Sequence, residues 1–125
     1  MRKAESESKN IMKNDLEERT LSFSCELIDF VVTLLKGTIG EAIGRQLLRA
    51  GTSIGANYRE ANRAASKADF IHKIGICEKE ASETNYWLEI CTRRGLGSGD
   101  IRPGLLQEST QLLAIFTTIG KNAKR

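Results

Sequence analysis

Residues 51 to 55, Gly-Thr-Ser-Ile-Gly, match the G-x-S-x-G spacing in which a serine serves as the nucleophile of acyl transfer. That chemistry needs a strained strand-to-helix turn that lifts the serine beside an oxyanion hole, and a histidine base within reach. Here the five residues fall inside a helical apolar pattern, and His72 is the only histidine. No catalytic residue is therefore assigned, no cofactor is expected, and the chain is not read as an enzyme. Residues 95 to 100, Gly-Leu-Gly-Ser-Gly-Asp, suggest a phosphate cradle at first sight, but Asp100 stands where G-x-G-x-x-G needs its third glycine and no strand precedes it. They read as a flexible turn. Cys25, Cys77 and Cys91 are an odd number without Cys-x-x-Cys or Cys/His spacing, so neither a disulfide framework nor a metal site is expected. Cys77 and Cys91 fall on an apolar stripe, where a free thiol packs as a small apolar group.

A polar stripe is more informative. Gln46, Arg49, Ser53, Asn57 and Glu60 recur at helical spacing and flank the apolar face of the same segment. Arg49, Ser53, Asn57 and Glu60 are read as a structural polar network that fixes helix register, with a binding site as the sharper alternative. Lys79 and Glu83 are spaced as an i,i+4 pair, and Tyr86 and Trp87 add amphipathic surface suited to an interface. Basic residues gather toward the C-terminus, where positions 95–125 hold four Lys or Arg against two Asp or Glu. Arg93 and Arg94, with the tail cations Lys121, Lys124 and Arg125, are the expected nucleic-acid contacts.

Four helical segments would position these groups. Asn14 and Glu17 have capping-box spacing, and Leu16, Thr20, Phe23, Leu27, Phe30 or Val31, and Leu34 form the stripe of a helix over about 15–36, stopped by Gly37. Thr38 and Glu41 repeat the cap before Ile43, Leu47, Ala50, Ile54, Tyr58 and Ala61, and Gly44, Gly51 and Gly55 inside that helix mark close packing. Ser66 and Asp69 open a third helix with the stripe Phe70, Ile74, Cys77, Ala81, Leu88 and Cys91, ending before Gly95. Pro103 suits the first turn of a fourth, which carries Leu105, Leu112, Phe116 and Ile119.

The pattern predicts an all-α, up-and-down antiparallel four-helix bundle over residues 14–120, with a flexible N-terminal tail at 1–13 and a basic C-terminal tail at 121–125. In such a bundle Arg93 and Arg94 lie at the opposite end from the tail cations, as two separate patches. Leu21, Ile28, Val32 and Leu35 fall outside the core stripe of the first helix, a surplus of apolar surface that points to self-association. The chain has 125 residues, of which 40% are hydrophobic and 28% charged, with one proline, and this excludes disordered and collagenous classes. A formal net charge of +3 permits a polyanionic partner without demanding one. The charged first residues and the lack of a long apolar run predict a cytoplasmic protein with no membrane contact.

The run from Gln46 to Ala61, QLLRAGTSIGANYREA, followed by Ser66, Asp69-Phe70 and Lys79 to Leu88, KEASETNYWL, resembles the four-helix-bundle proteins of the 23S rRNA intervening-sequence family. The likeness covers about residues 10–122. Its most specific parts are Ser53, Ile54, Ala56, Asn57 and Glu60, and the K-E-A-x-E-x-x-Y-W-L run. The chain departs from the family pattern at Ala50, where a serine is frequent, and at Arg59, where an acidic residue is frequent. The resemblance implies a homo-oligomer, a ring of five bundles, with no known enzymatic activity; members are encoded within insertions in large-subunit rRNA genes or as free-standing genes. The family is similar to the accessory variability determinant of diversity-generating retroelements, a bundle that partners a reverse transcriptase and RNA. The expected function is a non-enzymatic oligomer that binds RNA or a reverse transcriptase-like ribonucleoprotein through basic surface. The alternative is a protein-interaction scaffold without nucleic-acid contact.

Overall fold

A computed structural model describes the backbone of residues 3–125 and the side chains from residue 15 onward. Four helices follow one another: α1 (Lys3–Leu34), α2 (Gly37–Ala61), α3 (Lys67–Arg94) and α4 (Arg102–Ala123), with no strand among the described residues. They pack as a bundle in which each helix lies mainly against its neighbours in sequence, and the α1–α4 seam is much the sparsest. The expected stripes form the core. Phe23, Leu27 and Phe30 of α1 meet Leu47 and Ile54 of α2, Ile74 and Leu88 of α3, and Leu105, Leu112 and Phe116 of α4, all out of solvent.

The helix ends depart from the sequence reading in three places. First, α1 begins at Lys3, so the backbone of Asn14 lies inside the helix and not at its start. Ala, Glu, Lys and Met dominate the preceding stretch, and these strong helix formers carry the helix backward through the expected tail. Residues 1–2, the rest of that expected tail, lie outside the described residues. Second, α2 begins one residue before Thr38, with extended Lys36 at its cap position and no side-chain cap bond. The α1–α2 connection is too tight for a Thr38 cap: Lys36 N donates to Leu34 O at 2.7 Å and Gly37 takes φ +81°. Third, α4 runs to Ala123, so Lys121 is helical and only Lys124 and Arg125 follow it.

Other boundaries follow the sequence. Asp69 N donates to Ser66 Oγ at 3.0 Å, and Gly95, at φ +64°, closes α3. Leu96 N reaches Cys91 O at 2.9 Å and Gly95 N reaches Thr92 O at 3.4 Å, the paired bonds of a Schellman stop. Pro103 stands in the first turn of α4. The α2 glycines face α1: a Cβ on Gly51 would overlap Leu27, and one on Gly55 would lie 3.0 Å from Thr20 Oγ1. Two helices can approach this closely only where one side of the seam lacks side chains.

Candidate nucleic-acid interface

The antiparallel order places the two expected cation patches at opposite poles. Arg93 and Arg94 end α3, whereas Lys121, Lys124 and Arg125 end α4 beside the start of α3, where Lys67 Nζ donates to the Arg125 carbonyl at 3.2 Å. The 28 residues of α3 separate the poles by about 42 Å at 1.5 Å per residue. Arg93 is 84% exposed at its side chain and only grazes Glu89, at 4.0 Å. Lys67, Lys121, Lys124 and Arg125 are exposed, and none is ion-paired among the described residues.

Four cations on the body of the bundle are neutralised. Arg19 forks onto Glu108, with Nε to Oε2 at 2.6 Å and Nη2 to Oε1 at 2.8 Å. Arg59 lies 3.6 Å from Glu17, Lys73 lies 3.7 Å from Glu60, and Arg49 reaches across to α3. There Arg49 donates to Glu80 at 3.1 Å and to Glu83, which also accepts from Trp87 Nε1 at 3.3 Å. Lys79 does not join Glu83. Tyr86 packs edge-on against Trp87 with centroids 5.5 Å apart and is 61% exposed.

The expected polar network divides. Arg49 binds α3 carboxylates, Ser53 Oγ donates to the Arg49 carbonyl at 2.6 Å, Asn57 Nδ2 donates to the Ser53 carbonyl at 2.8 Å, and Glu60 pairs with Lys73. Only Arg49 and Glu60 reach α3, whereas Ser53 and Asn57 bond their own helix. Residues 51–55 are continuous helix, which leaves Ser53 without the turn a nucleophile elbow requires. Three buried polar groups escape the sequence reading, among them Thr84, whose Oγ1 donates to the Glu80 carbonyl at 2.7 Å. Glu80 sits at a core-facing position, and Ser109, fully buried, accepts from Asn85 Nδ2 at 3.0 Å. A carboxylate one residue before the stripe member Ala81, with a cation on the facing polar stripe, is the sequence signal for Glu80.

Beside the tail pole, the sparse α1–α4 seam opens into a groove of about 680 Å³. Leu16, Tyr58, Phe70, Ile115 and Ile119 line its apolar floor; Asp15, Arg19, Asn62 and Asn122 stand at its edges. Burial holds the Tyr58 phenol above its ordinary pKa, with the Asn62 side chain opposing, so it stays a neutral hydrogen-bonding group. Among the described residues no group of His, Cys, Asp and Glu could hold a metal ion, and no helix is long and apolar enough to cross a membrane.

The family model for the 23S rRNA-intervening sequence protein matches residues 12–118. The chain belongs to this family. A crystal structure of a protein of unknown function from the S23 ribosomal protein family of Bacteroides thetaiotaomicron is similar, with a TM-score of 0.78 and 36% sequence identity over 87% of this chain and 97% of that one. No curated protein matches. Within this 23S rRNA intervening-sequence protein fold, the run Lys79 to Leu88 forms the middle of α3, supplying Glu80 and Glu83 to Arg49 and Leu88 to the core.

Proposed function

We propose that the chain is a non-enzymatic, homo-oligomeric bundle that binds RNA, or a reverse transcriptase-like ribonucleoprotein, through its end cations. The observation that carries this reading is the gathering at one pole of exposed Lys121, Lys124 and Arg125, which have no ion-pair partner among the described residues, whereas on the body Arg19, Arg49, Arg59 and Lys73 are paired and the unpaired Arg45 and Lys79 are single residues of different helices. A cation without a carboxylate partner has no ion pair to break when it meets a phosphate, and it displaces the counterions condensed there. A ring of copies would repeat the patch, so that weak contacts add through effective concentration.

Filter-binding titrations across several salt concentrations test it. Replacing Lys121, Lys124 and Arg125 with Gln should weaken binding across RNA sequences and make the salt dependence shallower by about one unit for each phosphate no longer neutralised. The separate Arg93→Gln/Arg94→Gln variant should weaken it less, because Arg93 already has Glu89 within 4.0 Å. Parent-like binding by both variants, or no binding by the parent at low salt, would overturn the RNA reading in favour of the scaffold. A specific observation supports that second reading. Leu21, Ile28 and Val32 of α1, Leu35 just past its end and Leu48 of α2 are exposed, Val32 by 63%, and Leu35 lies against Gly44, so they share the outer α1–α2 face. On either reading this face is where copies of the chain meet.

A further inference from the structure

Single-strand binders combine a cationic track with aromatic surface on which bases stack, and along the sequence no aromatic residue is interleaved with the tail cations. The fold supplies what the sequence order lacks. Phe70, half-buried on the floor of the α1–α4 groove, follows Lys67 by one helical turn; Lys121 and Arg125 follow the lining residues Thr118 and Asn122 by the same spacing. Residues three apart on a helix are surface neighbours, which sets Lys67 and Lys121 beside the lining, and Arg125, past the end of α4, donates its backbone N to the Asn122 carbonyl at 3.3 Å; three cations without an ion-pair partner among the described residues thus stand within a turn of an apolar cavity lined by Phe70 and Tyr58. A volume of about 680 Å³ lies in the range of small-ligand sites, ample for a base. Arg19, though at the edge, is already taken by Glu108. Asp15, also at the edge, repels phosphate but accepts hydrogen bonds from base amino and imino groups.

We propose that this groove takes one unstacked base of a single-stranded RNA, with the flanking phosphates on Lys67, Lys121 and Arg125. The inference rests on the RNA-binding reading and deepens it: the pole prefers unpaired RNA, because a paired base cannot leave its stack without cost. Charge alone favours the opposite, since a duplex carries the denser phosphate array and the steeper counterion release. A preference for the single strand would therefore come from the groove.

The test uses the full chain with one dodecamer RNA strand, alone and annealed to its complement, carrying 2-aminopurine at one position. The parent should bind the strand about tenfold more tightly than the duplex, the effect of one stacked base, and should change the fluorescence of the strand alone. Ala114→Leu/Thr118→Leu, which fills the groove from two exposed positions of α4 with side chains that cannot stack, should abolish the preference and leave duplex affinity unchanged. Phe70→Leu, which keeps an apolar group on the core and removes the ring, should reduce the preference by a separate route. Thermal unfolding and oligomeric state, compared with the parent, identify any variant that fails to fold. Equal binding of strand and duplex by the parent, or a preference that survives both variants, would overturn the base site while leaving phosphate binding intact. Absence of binding to either RNA at low salt would overturn the base site and the RNA reading together.

Discussion

Single side chains divide by what burial does to them. Cys77 lies fully inside, its Sγ directed at the Ile54 carbonyl at 3.5 Å, and burial pushes its thiol pKa up to about 12; Cys91 is raised for the same reason, while Cys25 is exposed on α1. Only a thiolate attacks a disulfide reagent. Dilute, monomeric native protein at neutral pH should therefore titrate one rapid thiol with Ellman's reagent and three after denaturation, Cys25→Ser should remove the rapid one, and assembly through the face that holds Leu21 and Ile28 should slow it; two or more rapid thiols in the native monomer would contradict the packing. The raised thiols also fix a sign. Between about pH 9 and 12 the unfolded chain ionises Cys77 and the folded chain does not, so its contribution to stability is complete below pH 9 and declines as pH rises through that window. The positions of Cys77 and Cys91 were legible because a stripe at helical spacing dictates burial. The destination of Arg49 was not: which carboxylate faces it depends on how α3 slides against α2, and no local pattern encodes that offset.

At the scale of elements, the α1–α2 seam shows why glycine sits inside a helix. Gly51→Ala removes a helix-propensity penalty of about 1 kcal/mol but drives a methyl group into Leu27, and overpacking of this kind costs about 1–3 kcal/mol. Gly75, in the interior of α3, has open space around its Cα. Gly75→Ala should raise the midpoint of thermal unfolding by a few degrees, and Gly51→Ala should lower it, as followed by circular dichroism. Equal effects would mean that the seam is looser than described. The glycines, the Ser66 cap and the Gly95 stop could all be read from sequence, since each acts within a few residues or marks a close approach by lacking a side chain. The Asn14 and Thr38 caps failed for opposite reasons: strong helix formers overran the first, and the turn at Gly37 left no room for the second.

The whole molecule presents an apolar face on α1–α2 and a cationic pole at the end of α4. Ile28→Glu/Val32→Glu should convert the proposed oligomer to a 13.8 kDa monomer in sedimentation equilibrium while preserving helix content. A parent that is itself monomeric at tens of micromolar, a rough concentration for weak interfaces, would remove the assembly and the avidity that depends on it. The fold class was legible because four stripes of one period admit few architectures. The groove was not, because it arises from a seam between the first and last helices that no stretch of sequence contains. That seam also bears on the order of assembly. Each large packing surface joins helices adjacent along the chain, so loop closure costs little at every step, and α1 can dock on α2 as soon as both exist. Closing α1 against α4 alone spans the length of the chain. On a ribosome, the groove beside Phe70 would be the last surface of the domain to come into being, and an emerging chain could not hold a ligand there before its C-terminus was free.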